Sequence, residues 1–432
     1  MHAIFAAHPT VGHTQALRAI GKTLLARGHS VEFAMAPSPP LPSWAPIPEA
    51  LRASRTLSAA LVKDGFALVA VNPSLRALYH GVRTSQTQGY DELEHAVTMF
   101  TLDALGAARA LVRVGRESRP AVVVADFAYP GAQLAAEVLD VPFVAVFHSG
   151  LPFEAPGAPP FGSGLAADAP AAEREEARSR LARIERGAME RMSRARRSLG
   201  LAPEGRSVLV APYSRALNVL TTFEQLELPR PDLAQRASGP LLWSGPCIGD
   251  RSSAAPDFDW SRFDPSARWV YVSLGTVFNN QPEVYRKLVA AVHRAGARAV
   301  IAAGASLDAL RRVVGRDDIV VRFAPQVELV SKVRAMIGHG GNNSTNEALV
   351  AGCPLVIVPF GAEQIANGQR VEHLGAGAMV RAHELTDAKL DRALSIALSD
   401  STRQNARSLA DSLPTGDGAP RVADAIERLV AR

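Results

Sequence analysis

RAMIGHGGNNSTNEALVAGCPLVIVP, residues 334–359, reads as a short apolar strand, a glycine turn, a helix and a second apolar strand. Two apolar strands joined through a helix make a parallel crossover, the unit of an α/β sheet. The turn supports two readings. In one, Ser344 or Thr345 caps the helix, and Glu347, three residues after Ser344, completes a capping-box pattern. In the other, backbone N–H groups at the helix start, uncrowded because of Gly340 and Gly341, form an anion site with His339 as an added donor.

The same pattern recurs on both sides of this stretch. AIFAA (3–7) is followed by a Gly/Thr/His turn and by ALRAIGKTLLARGHS (16–30), in which Leu17, Ile20, Leu24 and Leu25 recur at helical spacing and Gly28 is a natural stop. VEFAM (31–35), AVVVAD (121–126) and PFVAVF (142–147) read as further strands, with a helix over 131–139. A charged helix over 171–199 packs through Leu181, Ile184, Ala188 and Met192. Residues 237–260 are rich in Pro, Gly and Ser and show little periodicity. After them the pattern restarts with RWVYVSLGT (268–276), RAVIAAG (298–304) and DIVVRFAPQ (318–326).

The expected organisation is two doubly wound Rossmann-like α/β domains facing across a cleft. They span residues 1–236 and 263–415, with a linker over 237–262 and a C-terminal helix over 416–432 that packs back on the first domain. In open parallel sheets ligands bind beyond the carboxyl ends of the strands, so the cleft is the expected site.

Composition narrows the function classes. Of the 432 residues 47% are apolar and 21% charged, which excludes a disordered chain. The net charge is +5, but the arginines are scattered. The one local cluster, RMSRARR (191–197), reads as a solvated helix face. There is no basic stripe with stacking aromatics, so no nucleic-acid partner is expected. Cys247 and Cys353 lie far apart and show no metal-ligand spacing. No apolar run is long enough to cross a bilayer, and the N-terminus lacks a secretory pattern. A cytoplasmic location without membrane insertion is the expectation.

Taken together, FAPQ (323–326), GHGGNNSTNE (338–347) and PFGAEQ (359–364) resemble the nucleotide-sugar signature of GT-B glycosyltransferases of the UDP-glycosyltransferase type, including bacterial natural-product enzymes. VSLGT (272–276) and the N-terminal GH turn extend the resemblance. It implies that Phe323 stacks on the base, where the family more often has Trp, and that Gln326 contacts base or ribose. It implies that His339, Gly341, Asn343 and Ser344 hold the pyrophosphate, with Ser273 and Thr276 at the β-phosphate. Glu347 would take the ribose hydroxyls, and Glu363 with Gln364 the sugar hydroxyls.

Glycosyl transfer to an alcohol requires removal of the hydroxyl proton, and histidine suits that task near neutral pH. His13 ends the first strand-turn, where the cleft is expected. Asp126, at the end of AVVVAD, is placed to hold its tautomer. The resembling family uses a His–Asp dyad at these positions. Neither a metal nor a cofactor is expected, because the helix start and His339 meet the pyrophosphate and no acidic pair with supporting ligands stands out.

The segments 71–105 and 148–164 are the expected acceptor walls. Phe127, Tyr129, Phe147, His148 and Phe153 are their contact residues, with Tyr79, Met99, Phe100 and His8 as further candidates. Two decoys carry little. GKT (21–23) lacks the first P-loop glycine, and Ser149 has no GxSxG elbow.

The reading is an inverting, metal-independent transferase. It moves a sugar from a UDP- or dTDP-sugar to a hydroxyl of a hydrophobic small molecule such as a macrolide, polyketide or aromatic aglycone. It acts as monomer or homodimer. The alternatives are a UDP-N-acetylglucosamine 2-epimerase-like enzyme and a catalytically inactive nucleotide-sugar-binding accessory protein.

Overall fold

The computed structural model describes residues 1–431 apart from 36–48, 85, 86, 88, 149, 150, 154, 156, 157, 167, 204–211, 250–257, 276–278 and 313. It divides into two compact units, one of residues 1–223, 229–249 and 416–432, the other of 224–228 and 250–415. The first contains β1 (His2–Ala6), β2 (Ser30–Met35), β3 (Ala67–Ala70), β4 (Val122–Asp126), β5 (Phe143–Phe147), β6 (Leu217–Leu220) and β7 (Leu241–Trp243). The second contains β8 (Trp269–Ser273), β9 (Arg298–Ala302), β10 (Ile319–Val321), β11 (Ala335–Gly338), β12 (Leu355–Ile357) and β13 (Gly377–Met379).

Every strand pair in both sheets is parallel. The strand orders are β3-β2-β1-β4-β5-β6-β7 and β10-β9-β8-β11-β12-β13. The direction of winding therefore reverses between β1 and β4 in one unit and between β8 and β11 in the other. These are the switch points at which a crevice opens beyond the strand ends.

The unbroken apolar runs of the sequence follow from cover on both faces. Val122 and Val124 pack into one core with Leu17, Ile20 and Leu24 of the first helix, Val11–Ala26. Val123 and Ala125, one residue out of phase, pack into the opposite layer with Leu111 and Phe147. In the second unit Val270 and Val272 of β8 join Tyr285 and Leu288 of the helix Pro282–Arg294.

Three expectations change. Residues 241–243, read as linker, form the edge strand β7, because Leu241–Trp243 pair with Asn218–Leu220. Residues 224–228, placed in the first domain, join the second unit. The arginine cluster is not wholly solvated. Arg196, on the helix Ala171–Ser198, is buried, and its guanidinium donates to both carboxylate oxygens of Glu137 at 2.8 Å.

The C-terminal helix, Gly418–Val430, packs on the first helix, and Val422, Ala423 and Ile426 enter the core that holds Leu17 and Ile20. Arg27 pairs with Asp424 and Glu427 at 2.7 Å, and His29 with Glu427 at 2.8 Å. Ile426 has no exposed surface. Ile426→Ala should therefore cost about 2–5 kcal/mol of first-unit stability, read as lost hydrogen-exchange protection in β1 and β4. Unchanged protection would mean that the helix is a dispensable appendage.

Candidate functional site

In the first unit, His13 lies in the opening turn of the helix that follows β1, and Asp126 is the last residue of β4. The switch point brings them together. His13 Nδ1 is hydrogen-bonded to Asp126 Oδ2. Asp126 Oδ1 accepts the Ala128 N–H at 2.9 Å and faces His148 Nε2 at 3.0 Å. The carboxylate has no exposed surface. Burial alone would raise its pKa, but the imidazoles of His13 and His148 outweigh that effect and hold it far below the usual carboxylate range.

An ionised carboxylate can only accept hydrogen bonds, so the nitrogens facing it carry the hydrogens. The network assigns His13 its Nδ1–H tautomer, which leaves the ring lone pair on Nε2, the arrangement of a general base. Around the ring stand Phe100 at 5.9 Å, His148 at 4.6 Å and His8 at 5.6 Å between centroids. His8 Nε2 donates to Ala128 O, 3.0 Å away, which makes Nε2 the protonated nitrogen. Burial first, then the neighbouring His13, lowers its pKa to about 4.

The expected acceptor residues divide. Phe127, Tyr129 and His148 are buried beside this network. Phe147 and Phe153 sit in the core, 1% and 3% exposed, with ring contacts at 5.0 and 5.3 Å to Phe127 and to each other. They offer no surface to a ligand. Instead, the helix Leu75–Thr84 turns Leu75, Leu78, Tyr79 and Val82 outward, at the spacing of a single helix face.

In the second unit the two strand ends at the switch point are in register, Gly338 opposite Ser273. His339 follows at once, and its ring hydrogen-bonds the Ser273 backbone. Gly275, with φ +72°, and Gly341 flank that ring. A Cβ at Gly275 would lie 2.5 Å from His339 Cε1, and one at Gly341 2.5 Å from Nε2. The two glycines are thus a slot for an imidazole. Burial lowers the His339 pKa to about 4, so at neutral pH it is an uncharged donor.

The helix after the turn is Asn342–Val350, with Gly341 at its N-cap and no side-chain cap. It starts three residues earlier than a Ser344 cap requires, so the capping box with Glu347 does not form. Glu347, 3% exposed, and Ser344 both accept from Gln326 Nε2, at 2.7 and 3.0 Å, while Tyr271 donates to Gln326 Oε1 at 3.2 Å. Phe323 is 58% exposed. Glu363 opens the helix Ala362–His373. Gln364 Oε1 accepts the Phe360 and Gly361 N–H groups at 2.8 and 3.2 Å, which leaves its amide nitrogen as the group to offer a ligand. Asn343 stands in the first turn of Asn342–Val350, and Thr276 lies outside the described residues.

Sequence reasoning missed Arg370, and nothing in NGQRV marks it. It is 2% exposed, pairs with the buried Glu227 and donates to Asn346 Oδ1 at 3.0 Å and Asn342 Oδ1 at 3.4 Å. It thereby fastens the helix carrying the turn to its neighbour and to residues 224–228. Arg370→Met leaves a buried uncompensated carboxylate and should destabilise the second unit by about 3–5 kcal/mol. The double variant Arg370→Met/Glu227→Gln should recover much of that loss. Equal melting of single and double variants would show that the pair is not coupled.

The neutral buried rings make acid sensitivity predictable. His8 and His339 bind a proton near pH 6.5 in the unfolded chain and near 4 in the fold. Their contribution is complete above pH 6.5 and is lost as pH falls toward 4. At pH 5 each should cost about 1–2 kcal/mol. Melts at pH 7.5 and 5 should show the loss, and His8→Asn and His339→Asn should flatten it. An unchanged slope in both variants would refute the assignment.

Known proteins are similar to this chain in sequence and in fold. Residues 264–412 match the family model described as UDP-glucoronosyl and UDP-glucosyl transferase. The chain is 28% identical over 224 residues to the NDP-glycosyltransferase YjiC of Bacillus subtilis (strain 168), covering 50% of this chain and 54% of that one. It is 28% identical over 187 residues to the oleandomycin glycosyltransferase of Streptomyces antibioticus, covering 42% and 43%. The chain spans about half the length of the curated relatives it matches. Among solved structures, the calicheamicin glycosyltransferase CalG4 superposes with TM-score 0.74 at 20% identity, covering 100% of this chain and 98% of that one. The glycosyltransferase VinC in complex with dTDP gives 0.69 at 18% identity, covering 100% of both. No helix among the described residues is long and apolar enough to cross a membrane. Residues 264–412 therefore resemble the UDP-glucoronosyl and UDP-glucosyl transferase family, on a chain whose full length shares the GT-B fold of these solved glycosyltransferases.

Proposed function

We propose that this chain is an inverting glycosyltransferase that moves a sugar from a UDP- or dTDP-sugar to a hydroxyl of a hydrophobic small molecule. The observation that carries the proposal is the hydrogen-bonded His13–Asp126 pair at the first sheet's switch point. Asp126 orients His13 and stabilises the imidazolium that forms as His13 Nε2 takes the acceptor proton. The deprotonated oxygen attacks the anomeric carbon in a single displacement, and the nucleoside diphosphate leaves. No metal ion enters this scheme.

The second unit supplies the donor site. Phe323 offers its exposed face to the base, and Gln326 with Glu347 meets the ribose hydroxyls. The backbone of 339–344 receives the pyrophosphate, with Asn343 and Ser344 in the first turn and Ser273 beside it. His339 is neutral and its one N–H is held by the Ser273 backbone, so charge stabilisation comes from oriented backbone dipoles rather than from an imidazolium. Glu363 and the Gln364 amide nitrogen take the sugar hydroxyls. Phe100 beside His13 and the outward face of Leu75–Thr84 favour an apolar acceptor. An epimerase works on the donor alone and has no use for a base in the first sheet. An inactive accessory protein has no need of an intact dyad.

Thermal stabilisation by UDP, dTDP and GDP tests the donor site. A nucleotide at 100 times its Kd should add about 2.7 kcal/mol, less in His339→Ala. His13→Ala should keep that stabilisation while transfer from the matching donor falls about 10²–10⁴-fold. If no nucleotide stabilises the wild type, the donor reading fails.

A further inference from the structure

His148 is the first residue after β5, which pairs with β4 so that Val146 stands opposite Asp126. Two residues beyond Val146 on the same strand line, His148 emerges on the face from which Asp126 projects. It is 5% exposed, and its Nε2 is 3.0 Å from Asp126 Oδ1 and 3.1 Å from His13 Nδ1. The carboxylate is therefore approached by three nitrogens, from His13, His148 and the Ala128 backbone. A dyad needs only the first.

We propose that His148 is a positioning residue for the base, its Nε2–H clamping Asp126 Oδ1 so that Oδ2 stays directed at His13 and holds it in the Nδ1–H tautomer. The proposal rests on the reading of His13 as the base.

The alternatives to this pattern are costly. A carboxylate oxygen facing an unprotonated His148 Nε2 would set two lone pairs against each other in a buried site. If Asp126 turned away, the His148 N–H would find His13 Nδ1 as its nearest acceptor. The His13 hydrogen would then move to Nε2, where a lone pair is needed for catalysis. With both Oδ1 donors in place, rotation of the carboxylate breaks two hydrogen bonds as well as the one to His13. The Ala128 N–H alone cannot impose that penalty. His148 donates through Nε2 in either of its protonation states, so the clamp does not depend on its charge. Of the other titratable groups near the carboxylate, His8 is directed at Ala128 O and the Tyr213 hydroxyl donates to Phe127 O at 2.9 Å, which leaves the carboxylate to these donors.

Glutamine places an amide N–H where His148 has its Nε2–H, and leucine fills the space without a donor. The test is nitrogen-15 NMR of the histidine rings in the full chain, for the wild type, His148→Gln, His148→Leu and, as the scrambled reference, Asp126→Ala. It needs no sugar donor or acceptor, so it reads the clamp even if the transferase reading fails. The wild type and His148→Gln should show His13 as a single Nδ1–H tautomer with a slowly exchanging, far-downfield Nδ1 proton. His148→Leu should show a mixture and a broadened proton.

Turnover of UDP-glucose or dTDP-glucose with the phenolic probe 7-hydroxy-4-methylcoumarin gives the second reading. Loss of one hydrogen bond to a charged group should lower kcat on the order of 10-fold in His148→Leu. The donor KM should not change, and glutamine should rescue most of the loss. A single unchanged tautomer in His148→Leu overturns the proposal, as does a His148→Gln that behaves like leucine. No turnover by any form, with the NMR pattern as expected, would remove the transferase reading and leave the clamp standing.

Discussion

A parallel sheet has all its strand ends on one side, and it opens only where the winding direction reverses. Both sheets of this chain obey that constraint, and both candidate sites depend on it. β1 and β4 lie side by side although they are far apart in the sequence, and beyond their carboxyl ends His13 and Asp126 meet at one point. β8 and β11 do the same for Ser273 and His339. Neither pair meets through local sequence. Each meets because apolar strands covered on both faces can be stacked in that order and no helix fills the gap.

The two sites solve opposite electrostatic problems. In the first unit a buried carboxylate is kept ionised, because three N–H donors replace the water it has lost. In the second unit burial removes the charge from His339 and leaves a neutral donor between two glycines. In the proposed reaction, a base that becomes an imidazolium is served by a fixed negative charge. A turn proposed to admit and release a diphosphate is served by dipoles, which attract an anion without the desolvation cost of a buried cation.

Rigidity around the second site comes from a different source. Gly275 and Gly341 are needed because the His339 ring occupies the space of their missing side chains. The helix behind the turn is held by Arg370, whose partners lie on two segments, Glu227 on one and Asn342 with Asn346 on the other. The Gln326–Glu347–Ser344 network fixes the other side of the same helix. A site made mostly of backbone N–H groups is only as well defined as the helix that presents them.

The amino-acid sequence by itself determined the alternation of strand and helix, the two parallel sheets and the two histidines, His13 and His339, that follow β1 and β11. Those features follow from local periodicity, glycine placement and residue chemistry. The signature residues of 323–364 were legible through their resemblance to a known family's motif, although Gln326, Glu347, Glu363 and Gln364 lie in helices. Only the tertiary structure decided that Leu241–Trp243 is a strand, that the helix begins at Asn342 and that Phe147 and Phe153 are core. It alone showed His148 on Asp126 and Arg370 on Glu227. These depend on partners distant in the chain, and no local pattern distinguishes a buried histidine or arginine with a carboxylate beside it from one exposed to water.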